Sequence, residues 1–139
     1  MGLDMYAYAG RKGQMNEFYE QDIQFNRETN DWDVPAGGVQ KPRELAYWRK
    51  HPNLHGWFEK LAERKNLDYG TFNGIELELT LEDLHLLEND VERGRLPATS
   101  GFFFGNDSDQ YYKPHDLKFI QDARAAIAAG EQVFYNSSW

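Results

Sequence analysis

Positions 3 to 8, LDMYAY, alternate Leu3, Met5 and Ala7 with Asp4, Tyr6 and Tyr8, the period of a strand that buries one face and shows two phenols on the other. From Arg11 to Gln40 the period is lost, and Asn30, Asp31, Pro35, Gly37 and Gly38 crowd into a turn-rich stretch. This predicts a long loop or lid, anchored by Trp32. Beyond Pro42, Leu45, Trp48, Leu54, Trp57, Phe58 and Leu61 recur at helical spacing. Pro52 falls inside that pattern, so the prediction is a helix bent between His51 and Asn53.

Ile75, Leu77 and Leu79 alternate strictly with Glu76, Glu78 and Thr80, the clearest strand of the chain. Thr80, with Asp83 three residues on, caps a helix striped by Leu84, Leu87 and Val91 and stopped by Gly94. A short strand of three phenylalanines between Gly101 and Gly105 is expected next, followed by a polar turn over Asn106 to Asp109. A helix then opens at Pro114 and Asp116, runs through Leu117, Ile120 and Ile127, and stops at Gly130. QVFYNSSW closes the chain as a strand. The order β, loop, bent helix, β, α, β, α, β predicts one α+β domain over residues 1–139, with a mixed or antiparallel sheet of about four strands and about three helices.

Composition narrows what such a domain does. Net charge is -8, and the basic residues are scattered, which opposes nucleic-acid binding because neutralising phosphates along a duplex needs a basic face. A small anionic ligand remains open, since two or three local cations prevail once salt screens the distant field. The chain has no cysteine, hence no disulfide or thiolate metal site. It also has neither a signal-like start nor an apolar run of membrane-spanning length, so a soluble cytoplasmic protein without membrane attachment is expected.

Catalytic motifs are sparse. His51 and His55 stand four apart, a spacing that can share a metal on a helix, but Pro52 and Gly56 disturb that helix and no metal is assigned. The stretch SGFFFGNDSD lacks the glycine-rich turn into a helix that phosphate loops need, and Asp107, Ser108 and Asp109 lack the spacing of a calcium loop. No nucleophile elbow is present, and no cofactor motif. Above this background stand tyrosines and tryptophans with polar handles, which either fill an aromatic core or wall a pocket for a planar ligand. Arg49 and Lys50 beside His55 would supply its anionic end. The closing YNSSW is expected to be tied down, with Ser137 and Ser138 as donors and Trp139 as a wall.

MGLDMY at the start, LAYWRKHPNLHGWFEKL, LPATSGFFFGNDSDQYY and VFYNSSW at the end resemble a family of small phage and bacterial proteins of unassigned function. Some members carry a phosphoglycerate kinase label, which does not suit a chain too short for that two-domain enzyme. The family strings fall on Asp4, Tyr6, Tyr47, Trp48, Arg49, Lys50, His55, Trp57, Ser100, Gly101, Gly105, Tyr111, Tyr112, Tyr135, Ser137, Ser138 and Trp139. From these come the ligand-binding candidates: Tyr6, Tyr47, Arg49, Lys50, His55, Ser100, Tyr111, Tyr112, Tyr135, Ser137, Ser138 and Trp139. The leading reading is a non-catalytic, phage-encoded protein that binds a nucleotide-like or phosphorylated ligand and sequesters a host immune signal. Its rivals are a small enzyme on the same ligand, with His55 as acid or base, an acidic inhibitor of a host protein, and a homo-oligomer whose aromatics form the interface.

Overall fold

A computed structural model describes residues 2–67, 70–97 and 108–139. The elements run β1 (Asp4–Arg11), α1 (Gln14–Glu20), β2 (Gln24–Asn26), β3 (Asp31–Asp33), β4 (Arg43–Arg49), α2 (Pro52–Arg64), β5 (Leu77–Leu79), α3 (Leu81–Glu92), α4 (Ser108–Ala128) and β6 (Glu131–Ser138). The fold is α+β, built on an antiparallel four-stranded sheet in the order β4-β1-β6-β5, with β2 and β3 forming a separate hairpin.

Alternation along β1 decides the two faces of the sheet. Met5, Ala7 and Ala9 are fully buried. On β4, before the bulge after Ala7, Met5 and Ala7 pair with Trp48 and Ala46; on β6 the three pair with Ser137, Tyr135 and Val133, and Leu77 and Leu79 of β5 pair with the last two. Directly paired residues share a face, so all of these point to the same side. There they meet Leu54, Phe58 and Leu61 of α2, Leu84, Leu87 and Val91 of α3, and Phe119, Ile120 and Ala123 of α4 in one core. The Phe58 ring stacks on Tyr135 with centroids 4.0 Å apart. Each large apolar side chain removed from water here contributes about 1.5–3 kcal/mol.

The strand at residues 3–8 forms as expected and runs on to Arg11, and the one at 74–80 contracts to Leu77–Leu79. Three expectations are corrected. The stretch 11–40 is not a loop: Met15 and Phe18 give α1 a buried face three residues apart, and Phe25 pairs with Trp32 across the β2–β3 hairpin. Trp32 does act as an anchor, meeting Phe18, Tyr19 and Phe25 edge to face. Secondly, no helix bends at Pro52. Residues 43–49 form β4, because Ala46 and Trp48 alternate inward against β1; Leu45 beside Trp48 had mimicked a helical step. Lys50 turns the chain with a φ of 56°, and Pro52 begins α2, where its missing N–H costs nothing. Lastly, α4 starts at Ser108 rather than at Pro114, which lies inside it. The expected three-phenylalanine strand, with Ser100, Gly101 and Gly105, lies outside the described residues.

Side chains close parts of both sheet edges. On β4 the Tyr112 hydroxyl accepts from the Arg49 N–H at 3.0 Å and donates to the Arg49 carbonyl at 2.7 Å, while His115 Nε2 donates to the Tyr47 carbonyl at 2.8 Å. On β5 the Lys65 ammonium donates to the Glu78 carbonyl at 2.8 Å.

Thr80 and Asp83 form a complete capping box at the start of α3, and Gly94 just beyond the helix has a φ of 66°. Thr80→Ala is expected to lower stability by about 1 kcal/mol, read as a lower urea midpoint with an unchanged slope.

Candidate functional site

The interior holds two polar networks, and each fixes residues singled out from the sequence. In the first, Asp116 of α4 is 1% exposed and accepts from Trp48 Nε1 at 2.8 Å and from His51 Nε2 at 2.9 Å. Tyr112 stacks on the His51 ring at 4.8 Å, with Tyr111 edge-on behind it. Asp109 lies 3.8 Å from His51 Nδ1 and accepts from Asn53 at 3.2 Å. One carboxylate thus joins α4 to β4 and to the residue that precedes α2.

The second network lies under the end of β6. Tyr135 is fully buried, and its hydroxyl meets His55 Nδ1 at 2.6 Å. Burial lowers the His55 pKa to about 4, so the ring is neutral and accepts the phenolic proton. Burial also raises Tyr135 well above the usual phenol range. Ser137 donates to the Phe72 carbonyl at 3.4 Å, and the Trp139 indole N–H donates to the same oxygen at 2.9 Å. Asn73 holds the Trp139 backbone at both N–H and carbonyl. The closing tryptophan is tied down as expected, by Phe72 and Asn73, and its ring stands edge-on to His55 at 6.3 Å.

These positions dismantle the expected anion site of Arg49, Lys50 and His55. Arg49, the backbone register partner of Asp4, lies on the face of the sheet turned away from α2, whereas His55 sits on the helix side against Tyr135. Ser137 and Ser138 are likewise divided, one buried and one exposed, because neighbours on a strand point to opposite faces. His51 and His55 serve separate networks, and among the described residues no group of three or more His, Cys, Asp or Glu side chains is placed to hold a metal. Ser100 lies outside the described residues.

What the structure does bring together is an outer sheet face carrying Tyr6, Tyr47, Arg49 and Ser138. Register sets Arg49, Asp4 and Ser138 in one row across three strands, with Tyr47, Tyr6 and Asn136 in the next. The Tyr6 ring lies 5.2 Å from Tyr47 and 6.0 Å from Tyr8. Tyr47 is 40% exposed and donates to Asp4 at 2.6 Å; that bond, ahead of burial, raises its pKa to about 12. Burial raises Tyr6 and Tyr8 too, so the face is built of neutral phenols. The Arg49 guanidinium is exposed and has no ion pair among the described residues.

The far end of this face is partly covered. Lys41 Nζ lies 4.6 Å over the Tyr8 ring and donates to its hydroxyl at 3.3 Å. Gln14 and Gln21 of α1 and the turn after it hold the segment before Lys41, through the Gln40 carbonyl at 2.9 Å and both backbone groups of Val39. Sequence reasoning missed Lys41, Asn136, Glu76 and Asp116 as members of these sites. Asn136 and Glu76 had a readable signal, since each is a polar residue on the outward phase of an alternating strand.

Comparisons of the chain with protein families, with curated proteins and with solved structures return no match.

Two outcomes are expected. Asp116→Ala removes the acceptor of the Trp48 indole N–H and of His51 Nε2 and should cost at least about 1–3 kcal/mol in urea unfolding. His55 has a folded pKa below its unfolded value of 6.5, so the folded state binds fewer protons and its contribution is complete above pH 6.5. That contribution falls away toward pH 4, by at most about 3 kcal/mol. His55→Gln should flatten the loss of thermal midpoint between pH 6.5 and 4 relative to the unaltered protein, whereas parallel slopes would assign the acid sensitivity elsewhere. Glu76, also shifted, titrates in both proteins and cancels in the difference.

Proposed function

We propose that the protein is a binding protein, without catalysis of its own, that takes a planar anionic ligand of nucleotide type on the outer face of its sheet. The observation that carries this is the pair of neutral rings, Tyr6 and Tyr47, standing 5.2 Å apart on a face beside an arginine with no ion pair among the described residues. Phenol rings offer flat, weakly polar surfaces for stacking, and a guanidinium offers a planar fork to phosphate. His51 and His55 are engaged in interior networks, which favours binding over acid–base chemistry on this face. No helix among the described residues is long and apolar enough to cross a membrane. The resemblance to phage proteins extends the proposal to sequestration of a host signal of this chemistry.

Thermal shift against nucleoside monophosphates, cyclic dinucleotides, ADP-ribose and sugar phosphates tests the reading. Ligand at a hundredfold over its Kd stabilises by about 2.7 kcal/mol, roughly 5–15 °C for a chain of this size. Arg49→Ala and Tyr6→Ala should each lower affinity for a hit at least tenfold, and chromatography should return the hit unchanged. A consumed hit would instead make the protein an enzyme, and a flat panel would redirect the search to a protein partner for its acidic surface.

A further inference from the structure

Beside the outer face lies one carboxyl group whose second oxygen is buried without a hydrogen-bond partner. Glu76 Oε1 accepts from Asn136 Nδ2 at 2.7 Å, but Glu76 Oε2 is buried and has no hydrogen-bond partner. Burial is the largest influence on this carboxyl and works against its charge, whereas the bond from Asn136, Lys41 at longer range and a weak hydrogen bond from the Tyr19 hydroxyl favour it; no donor meets Oε2 with full hydrogen-bond geometry. A buried oxygen left in this state costs free energy that one N–H donor would recover.

Its place on the sheet says which donor fits. Asn136 is the register partner of Tyr6, and Tyr6 is that of Tyr47, so these three lie in one row across the sheet, which Glu76, the residue before β5, extends through its bond from Asn136. At ordinary strand spacing the row spans about 14 Å. Two stacking rings therefore lead from the β4 edge, where Arg49 stands, to a carboxylate oxygen in need of a proton donor.

We infer that Glu76 reads the edge of the bound heterocycle, so that the ligand carries an exocyclic amino group, as an adenine-type base does, along with its phosphate. This rests on the reading of the outer face as a nucleotide site. The amino group donates to Oε2, the ring lies over Tyr6, and the phosphate faces Arg49. Tyr19, 44% exposed, stands beside this carboxyl.

The test is calorimetric titration with adenosine 5′-monophosphate and with purine riboside 5′-monophosphate, which differ only in the amino group. The unaltered protein should bind the first at least tenfold more tightly, in line with a hydrogen bond to a charged acceptor. Glu76→Gln, which turns a donor toward the ligand, should bring the two within twofold. The comparison of the two nucleotides on the unaltered protein does not depend on Glu76→Gln folding. Equal binding of the two nucleotides by the unaltered protein, or a preference that survives Glu76→Gln, overturns the role of Glu76 while the nucleotide site stands. Failure of both nucleotides to bind overturns site and inference together.

Discussion

The buried carboxylate of Asp116 is the interaction on which the rest of the structure depends. A charged group taken from water is tolerated only where donors surround it, and here the two donors come from different elements, Trp48 of β4 and His51 at the entrance to α2. Satisfying Asp116 therefore places α4 against the edge of the sheet and sets where α2 begins. It also holds the Trp48 indole inward, and strand alternation then turns Tyr47 and Arg49 outward. The outer face owes its arrangement to a hydrogen-bonded carboxyl on the opposite side of the sheet.

The two faces divide the aromatic residues by task. Tyr135 and Trp48 face the helices, bury their rings and give their polar atoms to His55 and Asp116. Tyr6 and Tyr47 have the same chemistry but sit one residue out of phase, with their hydroxyls near solvent or Asp4. Because the period of a strand is two, a slip of one residue would exchange the two sets. The β-bulge between Ala7 and Tyr8, where Leu45 is the extra residue on β4, stops short of the Tyr6–Tyr47 pair and leaves it in register.

Elements whose signal is local were legible in the sequence. The strand at β1, the capped helix α3 and the closing strand follow from alternation, a capping pair and a glycine with positive φ, none of which needs a tertiary partner. Residues 43–49 were misread because Leu45 and Trp48 are three apart, and only pairing with β1 resolves the ambiguity in favour of a strand. Short elements such as α1 and the β2–β3 hairpin are held by one another, through Phe18, Tyr19, Phe25 and Trp32, so their windows carry little period of their own. The same limit applied to the site. Tyr6, Tyr47 and Arg49 stand out in the sequence by residue type and share one sheet face, but the sidedness that separates Arg49 from His55 is a property of the sheet and is readable only once β4 is known to be a strand.

The plugs on the sheet edges bear on how such a protein can be used. Open backbone at a sheet edge invites pairing with another chain. Tyr112, His115 and Lys65 spend their donors and acceptors on main-chain groups of β4 and β5 that would otherwise be available to a neighbour. Tyr112, a pocket candidate by residue type, thus spends its hydroxyl on the backbone of an edge strand.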